Sequence, residues 1–321
     1  TSARRYKTPA KPLPPIAGEL QGDALVEGSV LWVGDQVRGA VQLIHGTTDE
    51  HLWADSYERS TRDILALQSE LAREIAKMIG LAVTPTEAAR LRTSQQIAPA
   101  AYEAYLKGRY LWNKRTKKAI QESIQEFQIA VDLDPSYALA YSGLADTHLL
   151  VPLYCPELPP QEAIREAKSA VLKALEIDES LVQAHVSLCM ILMLFDQDWE
   201  AAEREFQRAI ADGPGYSTAH HWYAEYLAAV GRVEESIAEM IIARHLDPLS
   251  AVIEVDYSEK LIYARRYDEA VDNLHRTLET WPEFGFAHLM LGDAYAAKSM
   301  WPEAIAEYER GMDLGNVASV R

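Results

Sequence analysis

Apolar residues in the C-terminal two-thirds of the chain recur at helical spacing, and the helical stretches end at regular intervals. One helix-ending motif, Leu-Asp-Pro-Ser at residues 133–136, recurs in altered form, with its third position at residues 135, 179, 214, 248 and 282. These positions are 44, 35, 34 and 34 residues apart. A proline there restricts the preceding residue to extended conformations and so ends a helix. The pattern predicts a repeated pair of helices with a period of 34 residues.

Each predicted second helix carries a small, a large and another small residue at positions i, i+4 and i+7, which share one face. Small side chains let two helices approach, and the large one fills the space between them. The large residues are Phe127, Val171, Phe206, Met240 and Leu274. The small residues before them are Ser123, Ala167, Ala202, Ser236 and Ala270, and those after them are Ala130, Ala174, Ala209, Ala243 and Thr277.

The period and the last repeat carry the clearest resemblance to a known family. The last repeat has Leu291, Gly292, Tyr295, Ala304 and Tyr308 at characteristic positions. The pattern resembles the tetratricopeptide repeat (TPR), in which each unit is a helix–turn–helix. The long first interval coincides with a proline-rich insertion at residues 151–160, which we expect in a loop. The resemblance implies a mostly α fold: a TPR superhelix of about six repeats within residues 99–321.

The N-terminal region has the alternation of apolar and polar residues that is typical of β-strands. Residues 25–33, 37–45 and 52–58 predict three antiparallel strands, with Gly34 and Asp35 forming a two-residue hairpin turn. A short helix is expected near residues 16–20, and another is expected to begin at a capping box over residues 60–63. The apolar face of that second helix comprises Ile64, Leu67, Leu71, Ile75 and Met78. We therefore predict a small α/β domain over residues 1–81 and a linker with a short helix over residues 82–98.

Several short segments of this region, residues 26–30, 42–44, 51–57 and 63–68, are similar to the TolB-like α/β domain of bacterial signalling proteins. In that family, the domain lies between an N-terminal output module and a TPR array. The output module is a winged-helix DNA-binding domain, a Ser/Thr kinase or a nucleotide cyclase. The resemblance implies the sensory or scaffolding part of a larger bacterial regulator. The α/β domain is expected to be incomplete at its start.

Composition narrows the class of partner. The chain carries 48 acidic and 31 basic residues, for a net charge of −17. This balance disfavours binding to nucleic acid, which rests on clustered Lys and Arg. Cys155 and Cys189 form no disulfide framework, which favours a reducing compartment and a cytoplasmic location. The longest apolar stretch, residues 181–195, is too short to cross a bilayer and predicts a buried helix.

Motifs of catalysis do not occur in the sequence. It has no glycine-rich phosphate loop followed by Lys and Ser/Thr, no His-Glu-x-x-His and no Gly-x-Ser-x-Gly. His185, His220 and His288 each take the fourth position of a repeat and are expected in or near the core. Because different repeats keep them apart, they are not expected to share a metal. We expect no enzymatic activity, no cofactor and no metal in this chain.

The concave face of a TPR array, lined by the first helices, is the predicted binding site. The ninth position of these helices is acidic in four of five repeats, and apolar or aromatic residues surround it. This predicts a groove for a basic, partly apolar peptide or protein, although a merely solvated helix face explains the acids equally well. The predicted groove residues are Asp146, Met190, His221, Trp222, Glu225, Val255, Glu259, Tyr263, Phe286, Leu289 and Asp293.

A basic stretch in the first repeat runs against the net charge. Lys107, Arg109, Lys114, Arg115, Lys117 and Lys118 are interleaved with Tyr110 and Trp112, with no acid among them. A basic face that meets an acidic neighbour explains this stretch, and nucleic-acid binding is the alternative. For the whole chain, a non-catalytic interaction module is the first interpretation. The alternative is an accessory region of a multidomain enzyme, a kinase or a cyclase, whose catalytic domain lies elsewhere.

Overall fold

The computed structural model describes residues 24–33, 36–46, 48, 50–60, 70–71, 74–75, 77–78 and 97–314. The chain divides into two compact units, Thr1–Tyr102 and Glu103–Arg321. Each unit has its own internal packing.

The N-terminal unit contains an antiparallel sheet in the order β1-β2-β3, formed by Ala24–Val33, Gln36–His45 and His51–Ser60. Alternate residues point to opposite faces of a strand, and Val37, Leu43 and Tyr57 are buried on one of them. The three predicted strands are confirmed. Residues 70–71, 74–75 and 77–78 are helical, as predicted. The hairpin turn at 34–35, the helix near 16–20, the capping residues 61–63 and the linker up to residue 96 lie outside the described residues.

Twelve helices follow between residues 97 and 314, and they form six consecutive pairs. This confirms the predicted number of repeats. The first helices are α1 (Pro99–Trp112), α3 (Ala138–Tyr154), α5 (Val182–Ile191), α7 (Ser217–Ala229), α9 (Ala251–Tyr263) and α11 (Gly285–Ala297). The second helices are α2 (Lys117–Leu133), α4 (Pro160–Ile177), α6 (Trp199–Asp212), α8 (Val233–Leu246), α10 (Tyr267–Thr280) and α12 (Trp301–Asp313).

The predicted small–large–small face of each second helix lies in the core. The five large residues and the small residues before them are completely buried, and the small residues after them are nearly so. Phe127 illustrates the packing, because its ring lies between Gly108 of α1 and Gly143 of α3. A Cβ atom on Gly108 would come within 2.8 Å of the ring, and one on Gly143 within 2.4 Å. The two glycines therefore let both first helices close onto one aromatic ring.

The turn between the helices of a repeat has a recurring backbone conformation. Gln197, Gly231, Arg265 and Ser299 follow one another at 34-residue intervals, and all have a positive φ, between 53° and 83°. Arg115 takes the same conformation in the first repeat, with φ 52°. Only Gly231 adopts it without steric cost. The predicted buried helix over residues 181–195 is present as α5, which continues into a π-helical turn, Leu192–Asp196.

Candidate functional site

The predicted groove residues differ widely in exposure. Asp146, His221, Trp222 and Val255 are buried, whereas Tyr263 and Asp293 are exposed. The other five, Met190, Glu225, Glu259, Phe286 and Leu289, are partly exposed. A partner can therefore contact only part of the predicted set directly.

A buried lysine joins two of the predicted acids. We use the name α7–α9 charge cluster for His221, Glu225, Asp256, Glu259 and Lys260. Lys260 is completely buried, and its Nζ lies 2.7 Å from the carboxylate of Glu225 and also donates to that of Glu259. The hydroxyl of Tyr263 donates to Glu259 at 2.8 Å. Glu225 and Glu259, both partly exposed, thus pair with one buried lysine.

The other half of the cluster is a pair between α7 and α9. Nε2 of His221 lies 2.7 Å from Oδ2 of Asp256. Burial raises the pKa of Asp256, but the hydrogen bond with His221 and the charges of His221 and Lys260 outweigh it, so the pKa lies below its ordinary range. Burial raises the pKa of Glu225 to about 7, with Asp256 and Glu259 acting in the same direction and Lys260 opposing them. The cluster therefore combines three carboxylates with Lys260 and His221, the lysine pairing with Glu225 and Glu259 and the histidine with Asp256.

The cluster also brings together groups of the kind that bind metals. One ligand atom from each of His221, Glu225 and Asp256 lies within 4.8 Å of the others. The sequence argument that repeats keep such groups apart does not hold here, because α7 and α9 are neighbours and place their side chains face to face. Lys260 already supplies a cation 2.7 Å from Glu225, and a second cation would be repelled by it. The arrangement therefore favours an ion-pair network over a metal centre.

The remaining groove acids serve different purposes. Asp146 accepts hydrogen bonds from Nη1 of Arg109 at 2.8 Å and from the hydroxyl of Ser187 at 2.6 Å, and so joins α1, α3 and α5. Asp293 accepts a hydrogen bond from the hydroxyl of Tyr308 in α12 at 2.6 Å. Leu289 also faces α12, where a Cβ on Gly311 would lie 2.7 Å from it. This corrects the expectation of a row of equivalent acids, because only those of repeats 4 and 5 meet in one place.

Trp222, another predicted groove residue, is covered by the first repeat. Its ring centroid lies 6.4 Å from that of Trp112, at the end of α1, and both indoles are buried. The guanidinium groups of Arg109 and Arg115 lie 4.3 Å and 3.6 Å from the centroid of the Trp112 ring. Trp222 is therefore buried against the first repeat, whereas Tyr263 of α9 is exposed.

The basic stretch of the first repeat is largely paired within the array. Lys107 pairs with Glu126, Arg109 with Asp146, Lys117 with Glu157 and Lys118 with Glu122. Lys114 lies over the ring of Tyr110, and Arg115 is buried. The lysines of the stretch remain exposed, so a basic face that meets a neighbour stays a prediction. Glu122 lies four residues after Lys118 in α2, whereas Asp146 and Glu157 lie more than 30 residues after the cations they pair with.

The three histidines at the fourth position of their repeats are structural. His220 and His288 are buried, and Nδ1 of each bonds a glutamate of the second helix, Glu239 at 2.6 Å and Glu307 at 2.5 Å. His185 is partly exposed and lies 3.6 Å from Glu205. Their prediction as core or near-core residues is confirmed, and each has its own partner.

Sequence reasoning missed Lys260, Asp256 and Arg115 as site residues. Asp256 and Lys260 directly follow the fifth and ninth positions of the repeat, which were among the positions considered. A signal for Lys260 was available, since it is the one basic residue of α9, it follows Glu259, and buried lysines require acidic partners. Nothing in the sequence distinguishes Arg115 from the other cations of its stretch.

Comparison with known proteins identifies the repeats. Residues 194–250 and 260–316 match the family model of the tetratricopeptide repeat. The chain is 26% identical over 191 residues to a protein named putative adenylate cyclase 3, from Rhizobium meliloti (strain 1021). That match covers 60% of this chain and 32% of the relative, so the chain spans about a third of the relative's length.

The chain is also similar to solved structures. The APC/C hetero-tetramer Cut9–Hcn1 superposes with a TM-score of 0.52 at 14% identity, covering 78% of this chain and 53% of that chain. A thermophilic TPR protein of Thermus thermophilus gives 0.47 at 16% identity, covering 64% of this chain and 100% of that one. The described helices form a TPR-like array of stacked helix pairs. Among the described residues, no helix combines the length and the apolar character needed to cross a membrane.

Proposed function

We propose that this chain is a non-catalytic module that binds a basic, partly apolar peptide or protein segment on the concave face of repeats 4 and 5. The observation that carries the proposal is the grouping of three acids in the α7–α9 charge cluster. Glu225, Asp256 and Glu259 are all partly exposed; Lys260 lies beside Glu225 and Glu259, and His221 lies beside Asp256. A lysine or arginine of a partner would form further charge-assisted hydrogen bonds with the exposed parts of these carboxylates.

Apolar recognition is assigned to the aromatic surface beside this cluster. Tyr263 exposes 53% of its surface and continues the face of α9, while Phe286 is partly exposed on the next first helix. Aromatic side chains of this kind supply much of the binding energy at protein interfaces. An extended or helical segment that alternates basic and apolar residues would fit both features.

We place this module in the sensory or scaffolding part of a larger bacterial signalling or transcription regulator in the cytoplasm. The TPR array after a small sheet domain supports this placement, and so does the resemblance of that domain to the TolB-like family. The alternative is an accessory region of a multidomain enzyme, and it rests on the relative named putative adenylate cyclase 3. The sequence encoded upstream in the same reading frame would distinguish these two alternatives. A kinase glycine-rich loop with its lysine, or a cyclase pair of metal-binding aspartates, favours the enzyme, and a winged helix favours the transcription regulator.

The binding proposal is tested by selecting peptides from a random display library and measuring the affinity of the selected peptides. We expect enrichment in Lys, Arg and aromatic residues, and weaker binding at higher salt. Tyr263→Ala should weaken binding by about tenfold or more. Trp301→Ala removes a similarly exposed aromatic from the second helix of the last repeat and should leave the affinity unchanged. Selected peptides without excess positive charge, or equal binding by both variants, would contradict the proposal.

A further inference from the structure

Among the described residues, Arg115 is a buried cation without an anionic partner. Only 3% of its surface is exposed, and neither Nε nor Nη1 has a hydrogen-bond partner. Within the part of the chain that the structure describes, no carboxylate forms an ion pair with it. Its one specific contact there is with the ring of Trp112, at 3.6 Å from the centroid. A buried charge of this kind is costly unless something compensates it.

A second orphaned donor lies beside it. Nε1 of Trp112 is buried and has no hydrogen-bond partner among the described residues, although a buried indole N–H is normally satisfied. Because the guanidinium of Arg115 lies against the same indole, the two sets of unused N–H groups are neighbours. Buried Tyr154, in electrostatic contact with Arg115, adds a hydroxyl to the same surroundings. Unused donors are thus concentrated at one point inside the first repeats.

The two carboxylates near this point already have direct partners. Asp146 accepts a hydrogen bond from Arg109 at 2.8 Å, and Asp256 is engaged by His221 at 2.7 Å. Both act on Arg115 through their charge but form no ion pair with it. A monovalent anion would give Arg115 a direct partner, whereas a divalent anion would be repelled more strongly by these two carboxylates.

We propose that Arg115 and the indole N–H of Trp112 form a binding site for a carboxylate group. A carboxylate accepts two parallel hydrogen bonds from a guanidinium and has a lone pair left for the indole. The site is separate from the proposed peptide surface, since it lies at the turn between α1 and α2. It also accounts for an otherwise unfavourable arrangement, because residues kept unsatisfied for a ligand lower the stability of the free protein.

The site is tested with acetate as the probe, added at constant ionic strength in place of chloride at pH above 7. The observable is the indole N–H resonance of Trp112 in a proton–nitrogen correlation spectrum, assigned by its absence in Trp112→Phe. We expect a saturable shift of this resonance in the unaltered chain. Arg115→Met should abolish the shift or weaken binding by at least about tenfold. Lys114→Met removes the same charge from the adjacent, exposed position and should keep the shift.

Each result decides for or against the site. No saturable shift in the unaltered chain overturns the proposal without recourse to any variant, and an undiminished shift in Arg115→Met does the same. Tighter binding of inorganic phosphate than of acetate overturns the assignment to a carboxylate. If Arg115→Met fails to fold, Arg115→Lys keeps the charge but loses the fork geometry, and it should still weaken acetate binding. Because the probe is a small anion, failure here leaves the peptide proposal standing, and failure of peptide binding leaves this site standing.

Discussion

The rings of Trp112 and Trp222 lie 6.4 Å apart between centroids and are inclined by 59°, although they belong to the first and fourth repeats. In a repeat array most contacts join neighbouring repeats. This contact instead links the end of α1 to the middle of α7 and buries one of the aromatic residues expected to face a partner. Tyr263, at the end of α9, and Asp293 of α11 stay exposed among the predicted groove residues.

The contact between the two indoles should be measurable as an energetic coupling. A double-mutant cycle with Trp112→Ala and Trp222→Ala is expected to give a coupling of about 0.5–1.5 kcal/mol, because buried aromatic pairs interact beyond their area. The measurement is denaturant unfolding of the four proteins. A second cycle between Trp112 and Trp199, whose ring contacts Tyr226 instead, should give a value near zero. Equal couplings in both cycles would mean that repeats 1 and 4 do not touch.

Gly292 should not tolerate a side chain. A Cβ at this position would come within 2.6 Å of the ring of Tyr308, in the second helix of the same repeat. Gly292→Leu is therefore expected to reduce the free energy of unfolding by about 1–3 kcal/mol through overpacking. Gly215→Ala is the control, since nothing lies within 4 Å of a Cβ there, and its effect should stay within about 0.5 kcal/mol. A neutral Gly292→Leu would show that the register of the last repeat is wrong.

Removal of Lys260 should be among the most destabilising single changes in the array. Lys260→Met leaves Glu225 and Glu259 without their shared cation, and breaking a buried pair in this way costs about 3–5 kcal/mol. Lys173→Met breaks an exposed pair with Glu176 and should cost less than about 1 kcal/mol. Both are compared with the unaltered chain by denaturant unfolding. Similar small losses would mean that Lys260 is not buried between these acids.

The raised pKa of Glu225, about 7, predicts a pH dependence of stability. A carboxyl group in an unfolded chain ionises near pH 4.3, so between these values the unfolded chain releases its proton first. Stability from this group is present below the lower pKa and is lost as pH rises through the higher one. Glu225→Gln cannot ionise, so its stability relative to the unaltered chain should increase by about 1–3 kcal/mol as the pH rises through this window.

Unfolding curves from pH 5 to 8 check this expectation. Glu176→Gln, which alters an exposed acid paired only with Lys173 among the described residues, serves as the control and should follow the unaltered chain at every pH. A constant difference between Glu225→Gln and the unaltered chain would show that Glu225 ionises normally.

Much of the fold could be predicted because its rules are local. The small–large–small faces, for example Ser123, Phe127 and Ala130, predicted which side of each second helix would be buried. The three strands and the six helix pairs followed from spacing alone. The left-handed residues Gln197, Arg265 and Ser299 were not predicted, because no glycine marks them. At these positions, the packing of the repeat holds residues in a backbone conformation that is unfavourable for their side chains.

The candidate site was predicted only in part. Positions on the first helices indicated the concave face, and Glu225, Glu259 and Tyr263 do lie together. Periodicity gives the face that a residue occupies, but it does not give the partner of that residue. The sequence analysis therefore treated Asp146 and Glu225 alike, although one is buried between three helices and the other shares a lysine with Glu259.

By itself, the sequence determined that this protein is an array of paired helices after a small sheet, since 34-residue periodicity and strand alternation are properties of contiguous segments. Only the tertiary structure decided which charges meet. Lys260 with Glu225, Arg109 with Asp146, and the solitary position of Arg115 among the described residues depend on contacts between side chains that are distant in sequence. Electrostatic energy depends on separation and burial, and both are set by how the helices pack.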